Sequence, residues 1–165
     1  MMKIFTETAI KTLWLAIALL LLDQYTKELA NSYLIFAEPV PIIPNFNFTL
    51  IYNEGAAFGF LADMGGWQKW FFGILAVVVS GGLVYWLKTL PAKFTVEVLA
   101  INLILSGALG NLIDRMVYGK VTDFIDFYVG TWHFATFNVA DIAISIGAAL
   151  LIFHEFILKP KQNSD

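Results

Sequence analysis

Residues 70–87 read WFFGILAVVVSGGLVYWL, a run with no charged side chain. At 1.5 Å per residue a helix of that length crosses most of a bilayer's hydrocarbon core, and nothing in it alternates as a strand would. Three further stretches share its character: residues 12–22, 96–110 and 139–153 are apolar and nearly free of charge. Over the whole chain of 165 residues, 59% are apolar and the mean hydropathy is +0.73, well above what a water-soluble domain carries. The pattern predicts an all-α membrane protein with four transmembrane helices, spanning about residues 11–30, 69–88, 95–116 and 138–158. The connections between them, roughly 40, 10 and 25 residues long, leave no room for a second domain, so 1–165 is read as one integral membrane unit.

A net charge of -3 without a basic cluster excludes a nucleic-acid partner, which would need lysine and arginine gathered on one face. The absence of cysteine excludes disulfides, thiolate chemistry and sulfur-ligated metal. His133 and His154 stand far apart without a ligand spacing, so no metal is expected. The charged residue Lys11 before the run 12–22 poses the question of a cleaved signal peptide. Asp23-Gln24-Tyr25-Thr26-Lys27 then stands where small residues should be, and the segment reads as a retained first span.

Four spans put both termini on one side, together with Lys3, Lys11, Lys88, Lys93, Lys159 and Lys161. The tight loop holding Lys88 and Lys93 is where the positive-inside rule acts most strongly, which assigns that side to the cytoplasm. Most carboxylates fall on the opposite face, and any chemistry is expected there. Within the insertion at about 31–68, Pro39, Pro41 and Pro44 bar a helix, while Phe46 to Tyr52 alternates and is rich in aromatic and β-branched residues. This predicts a small extracytoplasmic β element, followed by a turn over Asp63 to Trp67 and by Trp67 and Trp70 as interfacial anchors.

Ionisable groups within spans cost roughly 2.5–3.5 kcal/mol each on insertion scales, so each asks for a partner or a role. Asp23 and Lys27 are four apart and can pair on one face of the first helix. Gly107, Asn111 and Asp114 share a stripe of the third, with Arg115 beside them, and Gly107 and Gly110 leave space for a close backbone. Asp123 follows the third span and Asp141 opens the fourth. Two carboxylates sharing a partly desolvated site cannot both ionise easily, which splits them into an acid and a base. Peptide hydrolysis by an activated water needs that split. Asp141 could equally serve as a helix-start residue behind the N-cap Asn138, and Asp126 rivals Asp123 for the second carboxylate. A serine nucleophile, Ser106 or Ser145, with His154 as base fails on depth, since His154 lies about 20 Å along the helix from Asp141. A transporter is disfavoured because the acids collect near one face, and the density of polar groups within the spans argues against an inert scaffold.

The motifs Asp23-x-x-Thr26-Lys27, Asn53-Glu54-Gly55-Ala56-Ala57-Phe58, Gly107 to Arg115, Val121-Thr122-Asp123-Phe124 and Phe137-Asn138-Val139-Ala140-Asp141, in this order, resemble the bacterial lipoprotein signal peptidases, or signal peptidase II. The resemblance implies a four-helix aspartic endopeptidase of the bacterial inner membrane with cytoplasmic termini and a site near the extracytoplasmic face. Its substrate would be a diacylglyceryl-modified prolipoprotein, cut just before the lipidated cysteine. Asp123 and Asp141 would be the catalytic pair, and Asn53, Asn111, Arg115 and Asn138 would line the site. Asp23, Lys27 and Asp114 would hold the helices, with Gly107 admitting a close neighbour. It also implies a short surface helix between spans 1 and 2, membrane lipid as surroundings, inhibition by a cyclic depsipeptide of the globomycin type, no cofactor, and action as a monomer.

Overall fold

The computed structural model describes residues 7–55 and 67–158. A 3-10 turn at Ala9–Thr12 leads into α1 (Leu13–Tyr33). Two strands come next, β1 (Pro39–Ile43) and β2 (Phe46–Asn53), then α2 (Trp67–Thr89) and α3 (Val96–Tyr118). Strands β3 (Val121–Val129) and β4 (Trp132–His133) precede α4 (Val139–Phe153), which runs on through a π-helical turn at His154–Leu158. Among the described residues, four helical segments are long and apolar enough to cross a membrane: Ala9–Tyr33, Lys69–Thr89, Val96–Tyr118 and Val139–Leu158. They agree with the expected spans to within a few residues, and the chain is a multi-pass membrane protein.

Local chemistry sets the helix ends that matter for function. Thr95 caps α3 by accepting from the Val98 amide at 3.2 Å, and Gly119 ends it in the left-handed conformation (φ 78°) that favours glycine. At the start of α4, Asn138 and Asp141 form a reciprocal capping box: the Asp141 amide donates to Asn138 Oδ1 at 3.0 Å and the Asn138 amide to Asp141 Oδ2 at 3.2 Å.

Helix α3 is the hub. α1, α2 and α4 pack around it, and half of its most apolar stretch is buried inside the protein, against at most 22% for the other spans. Gly107 lets α4 approach so closely that a Cβ there would run into the Ala140 carbonyl oxygen. In the half away from the sheet, Ala16, Leu83, Leu87, Val98, Ile101 and Leu105 form an apolar core. The outward faces, Trp14, Ile74, Val78 and Ile152 among them, are exposed and apolar, as a surface solvated by lipid should be.

The described strands form one antiparallel sheet in the order β1-β2-β3-β4. It stands at the end of the bundle where α1 and α3 finish and α4 begins, tied down by Leu50 and Phe124 against Ala30 of α1. The β element expected between spans 1 and 2 is present as β1 and β2, and the sheet extends beyond it: the connection after α3, read from the sequence as a loop, supplies β4 and the longest described strand, β3. It is buried on both faces over most of its length, so the simple alternation that betrays a strand is lacking. The expected turn at 63–66 lies outside the described residues; among residues 34–55 no helix occurs, and the expected surface helix otherwise falls at 56–66, also outside them.

Candidate active site

A buried cation organises the polar end of the bundle. Lys27, 3% exposed, reaches from α1 to Asp23 Oδ2 at 2.9 Å and to Asp114 Oδ2 of α3 at 3.0 Å. Its third donor goes to Asn111 Oδ1 at 3.0 Å. Three charges in a dry place are tolerable only when the remaining lone pairs are also satisfied. They are: Asp23 accepts from the Ala140 amide at 2.8 Å, Asp114 from the Thr122 amide at 3.1 Å, and Gln24 Nε2 donates to Asp114 Oδ1 at 2.9 Å. One knot thus joins α1, α3, the start of β3 and the start of α4.

The knot also sets the direction of the next side chain. An ammonium only donates, so the Asn111 atom facing Lys27 must be its oxygen, which leaves the Asn111 nitrogen to face Asp141. It donates to Asp141 Oδ1 at 2.8 Å. Asn138 Nδ2 donates to the same Asn111 oxygen at 3.3 Å and to Asp123 Oδ1 at 2.7 Å. Asn53 Nδ2, at the end of β2, reaches Asp123 Oδ2 at 3.3 Å. Two amides therefore stand between the Asp123 and Asp141 carboxyls and link them. Asp141 is the helix-start residue of this cap, one oxygen closing the box and the other accepting from Asn111.

Asp123 and Asp141 line one cavity of about 520 Å³ with Asn53, Asn111 and Arg115. The segment Phe134 to Phe137 forms one wall, and Ile142, Ile144 and Ile146 of α4 extend the lining into the span. Arg115 donates to the Gly55 carbonyl at 2.9 Å and packs its guanidinium over Phe72 at 5.0 Å. Burial, with the Asp141 charge adding to it, pushes the Asp123 carboxyl up to about 7, against an ordinary value of 3.8; hydrogen bonds from Asn138 and Asn53 only partly oppose this.

Asp126, the rival carboxylate, belongs to a different set. It is buried on the same strand, but Thr49 Oγ1 donates to it at 2.8 Å, Asn47 Nδ2 at 3.4 Å, and His133 Nδ1 lies 2.9 Å away. Burial alone would raise its pKa; these partners outweigh that and hold it below the ordinary carboxylate value. Ser106 donates to its own helix at Leu103, and His154 lies near Glu97 at the other end of the bundle. Ser145 lines the cavity, but no histidine does among the described residues. Nor does any group of three or more His, Asp and Glu there have the geometry to hold a metal ion.

Sequence reasoning singles out Asp23, Lys27, Gly107, Asn111, Asp114, Arg115, Asn138, Asn53, Asp123 and Asp141, and all of them meet at this end. It misses Gln24, whose polarity beside Asp23 is the available signal. It also passes over Asn102, which is fully buried in the half that reads as almost wholly apolar and donates to Thr12 Oγ1 at 2.8 Å.

The family model of signal peptidase (SPase) II matches residues 15–157. A lipoprotein signal peptidase of Hydrogenovibrio crunogenus is 59% identical over 161 residues, covering 98% of this chain and 94% of the relative. One of Photorhabdus laumondii subsp. laumondii is 49% identical over 157 residues, covering 95% and 94%. A bacterial membrane enzyme solved by the in meso method at 2.3 Å superposes with a TM-score of 0.76 at 30% identity, covering 100% of this chain and 99% of that one.

Proposed function

The chain belongs to the signal peptidase II family, and we propose that it is an aspartic endopeptidase of the bacterial inner membrane that frees diacylglyceryl-modified prolipoproteins of their signal peptides by cutting just before the lipidated cysteine. The observation that carries this reading is the pair Asp123 and Asp141 on one cavity, joined through Asn111 and Asn138. With a pKa near 7, Asp123 keeps a proton that the neighbouring charge of Asp141 helps to hold. Asp141 then takes a proton from a water in the cavity as the water oxygen bonds to the scissile carbonyl carbon. Asp123 gives its proton to the carbonyl oxygen as it becomes negative. Collapse of the tetrahedral species breaks the C–N bond while Asp141 delivers its proton to the departing amine, and the reformed carbonyl returns the other to Asp123.

The surroundings suit a lipidated substrate. The isoleucine lining of α4 continues the cavity into the bilayer, where acyl chains remain in lipid while the peptide bond sits at headgroup level. The carboxylates lie on the face opposite the Lys88–Lys93 loop, the extracytoplasmic side if that loop is cytoplasmic. The enzyme acts as a monomer without metal or organic cofactor, and a cyclic depsipeptide of the globomycin type would compete for the same cavity.

The test uses detergent-purified protein and a diacylated precursor peptide. Cleavage before the lipidated cysteine, lost in Asp123→Asn and in Asp141→Asn and retained when Ser106 and Ser145 are both alanine, is the expected result. Full activity in either aspartate variant removes that residue from the reaction.

A further inference from the structure

Asp126 stands outside the cavity, yet its neighbours join it to the cavity wall. Strand β4 pairs with β3 through Tyr128↔His133 and Val129↔Trp132. Asp126 is two residues from Tyr128, so its side chain leaves the same face and lies diagonal to His133 across the pair. Alternation sends Trp132 and Phe134 to the other face, where their rings meet at 6.1 Å. His133, half exposed, lies over Asp126: its Nδ1 is 2.9 and 3.1 Å from the two Asp126 oxygens, and its ring stacks on Tyr128 at 5.2 Å. The carboxylate is the fixed partner, anchored in the sheet by Asn47 and Thr49 of β2.

A strand of two residues gains little from its ladder, so side-chain ties decide where this hairpin sits. The cavity wall comes directly after the hairpin in the chain. Phe134 donates its amide to the Phe127 carbonyl at 2.8 Å, and Phe137 exchanges backbone bonds with Ile125 at 2.9 and 3.1 Å. Ala135 and Thr136 between them also face the cavity.

We propose that Asp126 and His133 are a positioning pair for substrate, pinning the β4 hairpin to the sheet so that the wall from Phe134 to Phe137 keeps the shape that grips the precursor. This rests on the peptidase reading of the cavity. The pin gives the second carboxylate of the Asp-Phe-Ile-Asp run a role apart from the reaction. Asn138, one residue past the wall, is held separately by its capping box and by Asp123. Loss of the pin therefore loosens the wall and spares the carboxyls, which is a defect of binding and not of turnover.

The experiment measures kcat and KM of the full chain in detergent on a diacylated precursor peptide. His133→Ala and Asp126→Asn should each raise KM about five- to tenfold, the worth of one ordinary net hydrogen bond, with kcat within about twofold. The double variant should be little worse than either single one, since both remove the same tie. His133→Asn, whose amide nitrogen stands near the position of Nδ1, should recover most of the affinity, an outcome that general loosening of the fold would not produce. Affinity for the uncut peptide, measured in the Asp141→Asn background, should fall by the same factor with His133→Ala. Unchanged KM in both single variants, additive losses, or a fall in kcat at constant KM for Asp126→Asn would overturn the proposal. Failure of the peptidase reading shows itself separately, as a wild-type protein that leaves the precursor uncut.

Discussion

Two carboxylates three residues apart on one strand, both almost fully buried, are driven in opposite directions. Burial first, and then the charge of Asp141, push Asp123 up to about 7; at Asp126 burial also acts upward, but an imidazole, a hydroxyl and an amide together outweigh it and hold the group low. Desolvation and a like charge act in the same direction at the first, while hydrogen-bond donors oppose desolvation and win at the second. Within one short run of β3, the first carboxylate is thereby placed to keep a proton and the second to keep a charge, which is the division the proposed reaction and the proposed anchoring role require.

Breaking the pair at the cavity should have the largest effect. Asp123→Asn and Asp141→Asn should each lower kcat on a diacylated precursor by about 10³-fold or more, since in the proposed mechanism each removes a group that moves a proton in the transition state. Asp126→Asn should leave kcat nearly intact in the same assay. Next in size is Lys27→Met, which leaves Asp23 and Asp114 buried without their cation; it should cost about 3–5 kcal/mol, seen as a lower midpoint of thermal unfolding in detergent. Gly107→Val puts branched bulk against the Ala140 carbonyl and should destabilise by about 1–3 kcal/mol while shifting α4 and Asp141, so that activity falls with stability.

The pH dependence sharpens the contrast further. The folded pKa of Asp123 lies above its ordinary value of 3.8, so the stability it contributes is complete below about 4 and is lost as pH rises through about 7. The rate should fall over the same upper limb, because the proton on Asp123 is then gone. Asp126 has the reverse sign: its folded pKa is depressed, so its contribution is present above 3.8 and is lost as pH falls through the folded value. Unfolding midpoints across pH should thus lose their neutral-side slope in Asp123→Asn and their acid-side slope in Asp126→Asn. The smallest change is expected from replacing Ser106 and Ser145 together by alanine, which should leave cleavage within about twofold.

Much of this is legible without the fold. The four spans announce themselves because lipid forbids charge over long stretches, and Asp23, Lys27, Asn111 and Asp114 stand out against that background for the same reason. Their spacing on two helices foretells which faces meet. Outside the membrane the code weakens. β3 carries two aspartates and is buried on both faces, so neither alternation nor composition marks it as a strand, and its pairing with β2 depends on chain brought from the far side of two spans. For the same reason Asp123 and Asp126 are equivalent as residues; only the register that sets Asn47 opposite Asp126 and Asn138 beside Asp123 distinguishes them. Gln24 escapes because a single polar residue beside an ion pair reads as surface, although its amide bridges α1 to Asp114.

Infrared difference spectroscopy of the protonated carboxyl stretch, followed against pH, tests most directly whether Asp123 and Asp141 sense one another. A band absent from Asp123→Asn should titrate near 7 in the wild type, at distinctly lower pH in Asp141→Asn, and unchanged in Asp126→Asn. The same midpoint with and without the Asp141 carboxyl would show that the charge of Asp141 does not act on Asp123, and the reaction assigned to the pair would have to be abandoned.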